Sequence, residues 1–422
     1  MSVEVHPPGA PAIKTGGLRA WFYKRLPVEE FISDQLTGYY APKNFNFWYY
    51  FGVLSLLVLA LQLATGIYLT MFYKVGETTS FNSVEFIMRE VDFGWLIRYL
   101  HSTGASAFFL VVYLHMFRAL LYGSYRAPRE LLWIIGMFVY LALMAEAFFG
   151  YVLPWGNMSY WAAQVIVNVF GTIPGIGPAL VEWIRGDYGI ADATLNRFFA
   201  LHVVAVPLAL LLLVVLHLVA LRRTGSNNPD GIEIKEHLGS DGHPVDGIPF
   251  HPYYTVKDTV GVGLFLVLFA IVVFFVPTFG GYLLEPANFE MANPLSTPPE
   301  ITPSWYLTPY YAILRGIPNQ RIGALLLLLA IVAYFFLPWL DRSPVKSMRY
   351  KGWISRTFLA LFVLSFFGLM YAGLHPPDPA YVLLGRICTV LYFAYFVLMP
   401  IYTRIDRVKP LPDRLRFHAH AS

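Results

Sequence analysis

Four histidines sit inside apolar stretches in two matched pairs, His101 with His115 and His202 with His217. The first pair is spaced i, i+14 and the second i, i+15. A buried imidazole in a bilayer is costly without a partner, so each of these must be engaged. At 1.5 Å rise per residue, each pair separates its members by roughly 21 to 23 Å along a helix. That places one histidine toward each side of a hydrocarbon core about 30 Å thick. Two such helices side by side would bring histidines together at two depths. The spacing therefore predicts two haems stacked across a membrane, each held by one histidine from each helix.

Composition agrees with a membrane setting. The 422 residues are 57% hydrophobic and 13% charged, with a mean hydropathy of +0.55, far from a soluble domain. Cys388 is the single cysteine. A disulfide framework, a cysteine-rich cluster and a Cys-x-x-Cys-His haem attachment are therefore excluded. The net charge of +4 comes from scattered basic residues and carries no nucleic-acid signal. The first 45 residues lack the apolar core of a cleavable signal.

Eight apolar runs read as spans near 47–72, 95–122, 131–152, 194–221, 259–280, 321–340, 353–373 and 381–403, each close to the roughly 20 residues a crossing needs. Of the 30 Lys and Arg residues, 22 fall with the N-terminus and every second loop. That bias puts both termini in the cytoplasm or its equivalent negative side. Spans two and four then run in the same direction. His101 and His202 share a depth near the positive side, and His115 and His217 share one near the negative side. Pro207 lies inside span four, and a kink there is expected to absorb the odd fifteenth residue.

Two glycine pairs repeat the histidine interval: Gly52 and Gly66 in span one, Gly136 and Gly150 in span three. Glycine permits the close approach that a flat macrocycle needs, although any one pair also fits ordinary helix packing. Arg98 and Arg118 flank the span-two histidines. They read either as propionate partners or as snorkelling interfacial charges.

The loop near residues 153–193 begins Gly150-Tyr151-Val152-Leu153-Pro154-Trp155-Gly156 and carries an amphipathic stretch from Trp161 to Phe170. A second loop on the same side contains Pro298-Pro299-Glu300-Ile301-Thr302-Pro303-Ser304-Trp305-Tyr306. Both are expected to lie on the surface and roof a pocket over the upper haem. Tyr151, Tyr306 and Tyr311 read as its hydrogen-bonding walls or as part of an interfacial aromatic belt. On the other side, Arg222 to Pro229 and Pro249 to Asp258 bring Lys257 and Asp258 to the edge of the lower haem, where either is a candidate proton donor or an ordinary solvated residue.

With these segments assembled, the chain resembles cytochrome b of the quinol–cytochrome c oxidoreductase complexes over almost its whole length. The resemblance rests on the four histidines, the glycine pairs, Gly-Tyr-Val-Leu-Pro-Trp-Gly, Thr-Gly-Ser-Asn-Asn-Pro and His-Pro-Tyr-Tyr-Thr-Val-Lys-Asp. It implies an all-α membrane protein of eight transmembrane helices, the first four forming a di-haem bundle. The expected organisation is a cytoplasmic segment at 1–46, the di-haem bundle at 47–221, a cytoplasmic loop at 222–258, a C-terminal four-helix region at 259–403 and a cytoplasmic tail at 404–422. It implies two b-type haems, a low-potential one on His101 and His202 and a high-potential one on His115 and His217. Quinol oxidation on the positive side would send one electron to a Rieske iron–sulfur protein and one through the haems to quinone on the negative side, generating a proton gradient. Trp161, Ala162, Trp305 and Tyr306 would contact the quinol, and Arg222, Ser226 and Lys257 the quinone. A c-type cytochrome, the lipid bilayer, a homodimeric complex and a bacterial cytoplasmic membrane complete the expectation.

Four positions depart from that family. The usual Pro-Glu-Trp-Tyr appears as Pro303-Ser304-Trp305-Tyr306, and serine is no replacement for a carboxylate base. Glu300, four residues earlier, would share a face with it if the segment were helical, which makes it a candidate for the lost proton transfer or simply a solvent-facing acid. Ala162 stands where a glycine is frequent, which predicts weaker binding of methoxyacrylate-type inhibitors. Arg222 replaces a histidine and cannot release a proton near neutral pH, leaving Asp258 the better donor candidate. Glu146 lies within span three, either functional by its position in the membrane or neutral and hydrogen-bonded to a facing helix. Two rival readings remain open: a secondary transporter, and a smaller di-haem anchor of a dehydrogenase. The transporter predicts inverted repeats that the sequence lacks; the anchor typically has fewer spans and no roofing loops.

Overall fold

A computed structural model describes residues 38–415 together with Trp21 and Arg25. Most of the expected N-terminal segment and the last residues of the tail lie outside the described residues. Among those described, eight helical segments are long and apolar enough to cross a membrane. They are built from α1 (Tyr50–Thr70), α3 (Gly94–Tyr122), α4 (Glu130–Val152), the Asp192–Thr224 segment, α9 (Tyr253–Phe275), α11 (Gln320–Val332) running on to α12 (Leu337–Leu340), α13 (Trp353–Gly373) and α14 (Pro379–Val397). Shorter helices are α2 (Ser80–Arg89), α5 (Asn157–Phe170), α6 (Gly177–Arg185), α10 (Thr308–Gly316) and α15 (Met399–Ile405). Every backbone group in hydrocarbon must be satisfied internally, which leaves helices as the spanning element for such runs. Their outward sides stay apolar: Leu208, Leu212, Val215 and Val219 in span four, and Leu264, Val267, Leu268 and Ile271 in span five, are exposed.

Span four corrects one expectation. It is made of α7 (Asp192–Ala200), a π turn at Leu201–Ala205, and α8 (Val206–Thr224). The Val206 N–H donates back five residues to the Leu201 carbonyl. A π turn holds one residue more than an α turn, so the fifteenth residue between His202 and His217 is absorbed there. Pro207, at the start of α8, lacks the N–H that would have bonded the Val203 carbonyl, and the ladder widens just before it.

Span five also starts earlier than expected. Pro252 precedes the first turn of α9, where a missing N–H costs nothing. Lys257 and Asp258 therefore sit on a helix rather than in a loop. Span eight ends at Val397, and Pro400 opens the separate α15.

The first four spans pair as α1 on α3 and α4 on α8. The last spans pack as α13 on α14, with α10 wedged against both. One face, here the upper, carries α5, α6 and the segment 276–307. These two stretches are joined: Asn157 N donates to Glu290 O (2.9 Å) and Ala292 N to Trp155 O (2.9 Å). The opposite, lower face is closed by β1 (Tyr40–Pro42) paired antiparallel with β2 (Gly247–Pro249), Tyr40 opposite Pro249. Partly buried ion pairs hold this face: Arg129 to Glu233 (2.6 Å) and Lys346 to Glu233 (2.5 Å). Burial pushes the Glu233 carboxyl up, but the hydrogen bonds and charges of Arg129 and Lys346 outweigh it, and the net displacement is downward.

Candidate functional site

The four histidines meet as the spacing demands. The ring centroids of His101 and His202 lie 6.1 Å apart and those of His115 and His217 lie 6.4 Å apart. An imidazole nitrogen sits about 1 Å from its ring centroid and metal–nitrogen bonds run about 2 Å. A metal gripped between two rings therefore puts their centroids roughly 6 Å apart.

The ring nitrogens are oriented from behind. His202 Nδ1 lies 3.0 Å from the Glu146 carbonyl and 3.0 Å from Glu146 Oε1. Both are acceptors, so Nδ1 carries the proton and Nε2 is left to bind metal. His101 Nδ1 lies 2.9 Å from Thr65 Oγ1. That hydroxyl spends its one proton on the Leu61 carbonyl (2.6 Å), so it accepts from Nδ1 and again frees Nε2. His115 Nδ1, by contrast, is buried without a hydrogen-bond partner.

Each glycine of the two pairs abuts a histidine ring. A Cβ on Gly66 would stand 3.1 Å from His101 Cε1, and one on Gly52 3.6 Å from His115 Cε1. On Gly136 it would stand 3.1 Å from His217 Cε1, and on Gly150 only 2.4 Å from His202 Cε1. The glycines thus make room for the imidazoles themselves, one neighbouring helix serving each histidine helix.

A cavity of about 520 Å³ opens around the upper pair. His101, His202, Gly66, Gly150, Arg98 and Glu146 line its deep end, and Tyr151, Ser159, Asn288, Ser304 and Tyr306 line the end beneath the roofing loops. Tyr306 is buried and stacks on Phe109, centroids 3.8 Å apart. Ala162 is buried too, in a narrow cleft shared with Tyr151, Pro303 and Ser304. Trp305 donates through Nε1 to Ser106 Oγ (3.1 Å) and Trp161 to the Ser296 carbonyl (3.2 Å). Both are held at the margin rather than on the cavity wall. Tyr311 donates to the Ile301 carbonyl (3.1 Å) and also stays off the wall.

Glu300 is not brought to the cavity. It is exposed, and the stretch before Trp305 is not helical. Pro298, Pro299 and Pro303 withdraw backbone donors and hold the preceding residues extended, so no helical face joins Glu300 to Ser304. A carboxylate that reaches this end of the cavity through its wall residues is Glu285, which accepts from Tyr151 Oη (2.9 Å) and Asn288 Nδ2 (3.1 Å). Sequence reasoning missed it because nothing in an acid beside a loop proline distinguishes it from a solvated one. Thr65 was missed as well; its adjacency to Gly66 is the only signal it gave.

Near the lower pair, the Arg118 guanidinium lies 3.9 Å from the Tyr49 ring centroid, and its buried Nε has no hydrogen-bond partner. Among the described residues no ion pair joins Arg98 or Arg118 to a carboxylate. Two half-buried cations, one beside each histidine pair, thus remain available to an anionic group. Arg222 stacks on Tyr39 at 4.0 Å, whose hydroxyl lies 2.8 Å from Ser226 Oγ. Lys257 hydrogen-bonds Tyr253 Oη (3.0 Å), and Asp258 is half-buried one residue on.

Facing histidine pairs, the upper one with its tautomers set, notched neighbouring helices and half-buried arginines without a carboxylate partner define a class: a helical membrane protein shaped to grip flat, anionic, metal-centred prosthetic groups. Known proteins narrow it. Residues 36–225 match the family described as Cytochrome b/b6/petB, and residues 291–393 match Cytochrome b(C-terminal)/b6/petD. The chain is 58% identical over 412 residues to the cytochrome b of Allochromatium vinosum, covering 96% of this chain and 99% of that protein. It is 46% identical over 393 residues to the cytochrome b of Rhodospirillum rubrum, covering 93% and 94%. A solved structure described as a hyperthermophilic respiratory Complex III is similar with a TM-score of 0.85 and 38% identity, over 92% of this chain and 99% of that one. The chain belongs to the cytochrome b family, and b-type haem binding comes with membership.

Proposed function

We propose that the chain is the cytochrome b subunit of a quinol–cytochrome c oxidoreductase in a bacterial cytoplasmic membrane. His101 and His202 would hold a low-potential haem and His115 and His217 a high-potential one. The observation that carries this reading is the pair of facing imidazoles at two depths, 6.1 and 6.4 Å apart. When bound, the two haems supply a one-electron path between the membrane faces.

The chain's own residues do the positioning. Glu146 and Thr65 fix the upper ligands, and Arg98 and Arg118 offer charge to propionates at either depth. Quinol would be oxidised in the roofed cavity, where Tyr306 shapes the wall, Ala162 lines the narrow cleft beside it, and Trp161, Trp305 and Tyr311 brace it. Quinone would be reduced at the lower face, where Arg222, Ser226 and Lys257 can donate hydrogen bonds and Asp258 a proton. The basic bias of alternate loops supports placing the lower face and both termini in the cytoplasm. One electron acceptor would be a Rieske iron–sulfur protein, with a c-type cytochrome beyond it in a homodimeric complex. Proton release above and uptake below would generate a gradient.

A reduced-minus-oxidised spectrum of the purified chain should give two b-type haems of different potential. Membranes bearing the whole complex should then reduce a cytochrome c with quinol. Two haems without that activity would point to a dehydrogenase anchor, and no haem would return the transporter reading.

A further inference from the structure

Tyr151, at the end of α4, lines the cavity beneath the roof. Its hydroxyl donates to Glu285 Oε2 (2.9 Å) and accepts from Asn288 Nδ2 (2.9 Å). Asn288 also donates to Glu285 Oε2 (3.1 Å). The amide is held from its other end, since Ser159 N donates to Asn288 Oδ1 (2.8 Å). A tyrosine hydroxyl has one proton and two lone pairs. Here the proton is committed to Glu285 and one lone pair to Asn288, so one acceptor position remains on an oxygen that walls the cavity.

We propose that Tyr151 and Glu285 form a proton relay that receives one hydroxyl proton of the quinol bound in this cavity; the inference rests on the quinol-oxidising reading given above. In the step, the substrate O–H bond breaks and its proton passes to Tyr151 Oη while the Tyr151 proton passes to Glu285 Oε2. The tyrosine ends neutral and the carboxylate ends protonated. The substrate's two electrons leave to the one-electron acceptors of the complex, and the second hydroxyl proton leaves by another route.

Glu285 suits the role. The groups facing it are Tyr151 from α4, Asn288 from its own loop and Tyr306 from the turn before α10, with no Lys or Arg paired to it among the described residues. Desolvation pushes its carboxyl up from the usual range, the direction a proton-accepting carboxylate needs. The residue is half-buried beside exposed Pro286, which opens an exit toward the upper surface.

The test is the pH profile of quinol-driven cytochrome c reduction by the intact complex carrying Glu285→Gln, Glu285→Asp, Tyr151→Phe or Glu300→Gln. Glu285→Gln and Tyr151→Phe should each lower kcat at least tenfold with haem spectra retained. The acidic limb of the wild-type profile should vanish in Glu285→Gln and persist in Glu285→Asp. If Glu285→Gln fails to assemble, Tyr151→Phe decides, since it removes only the hydroxyl. A Glu285→Gln complex with the wild-type rate and acidic limb overturns the relay, as does a loss confined to Glu300→Gln. A wild-type complex that keeps both haems yet oxidises no quinol removes the underlying reading and the relay with it.

Discussion

Replacing Gly150 by alanine puts one methyl group where the His202 ring already stands. The added Cβ would lie 2.4 Å from His202 Cε1 and 2.9 Å from both ring nitrogens. Carbon contacts are favourable only near 3.5 to 4.0 Å, so the ring or the helix must give by about 1 Å. His202 has little freedom to comply, because Nδ1 is tied to both oxygens offered by Glu146 at 3.0 Å. Overpacking of this kind costs about 1–3 kcal/mol, whereas Gly→Ala in a helix interior returns about 1 kcal/mol. The contact term wins at Gly150. At Gly52, whose Cβ would meet His115 at an ordinary 3.6 Å, the helix term wins.

Gly66 and Gly136, both at 3.1 Å, fall between. The expected order of damage is Gly150, then Gly66 and Gly136, then Gly52. Net costs of up to about 2 kcal/mol correspond to as much as roughly 30-fold weaker haem retention. The readout is haem per chain from reduced-minus-oxidised spectra, combined with a redox titration that separates the two centres. Gly150→Ala and Gly66→Ala should deplete or shift the upper haem and spare the lower; Gly136→Ala should do the reverse. If Gly150→Ala keeps both haems at unshifted potentials while Gly52→Ala loses one, the notch argument is wrong.

Three further outcomes follow from neighbouring contacts. Glu146→Gln keeps an acceptor for His202 but removes the carboxylate behind it, so the upper haem should rise in potential by about 60 mV, a tenfold shift for one electron; an unchanged titration would dismiss the contact as inert. Ala162→Gly should restore sensitivity to methoxyacrylate-type inhibitors by clearing one methyl from the cleft beside Tyr151 and Ser304, and equal inhibition of variant and parent would sink the idea. At the lower face, burial pushes the Asp246 carboxyl up, but hydrogen bonds from Arg414 (2.8 and 2.9 Å) and Lys43 outweigh it and hold the carboxyl well below the usual range. Because the folded-state value is depressed, this tie is present at neutral pH and is lost only as pH falls through that lowered value. Arg414→Ala should therefore make the C-terminal stretch more protease-sensitive at pH 7; cleavage no faster than in the parent would count against it.

The electron path and the proton path differ in how far they can be read from residue order. Spans and histidine pairing depend on periodicity and depth, which a helix converts directly into position. The pairing of each glycine with its histidine follows from the same arithmetic, since neighbouring helices of one interval stay in register. What failed was local and non-periodic. The fifteenth residue resides in a π turn whose hydrogen bond skips to Leu201, ahead of the proline that suggested a kink. Proline-rich backbone before Trp305 separates Glu300 from the pocket, although four residues of spacing suited a helix. Glu285 reaches Tyr151 across 134 residues through a loop with no repeat to betray it. Glu146 shows the boundary most clearly. Its place in span three marked it as costly, but only tertiary packing reveals that its cost is met by a histidine of the facing helix. That contact also separates the two centres chemically. The upper imidazoles donate to Thr65 and Glu146, whereas His115 Nδ1 donates to nothing. Hydrogen-bonded ligands are more basic and favour the oxidised metal, so the upper centre should be the harder of the two to reduce, and most of that difference should disappear when Thr65→Val and Glu146→Gln are combined.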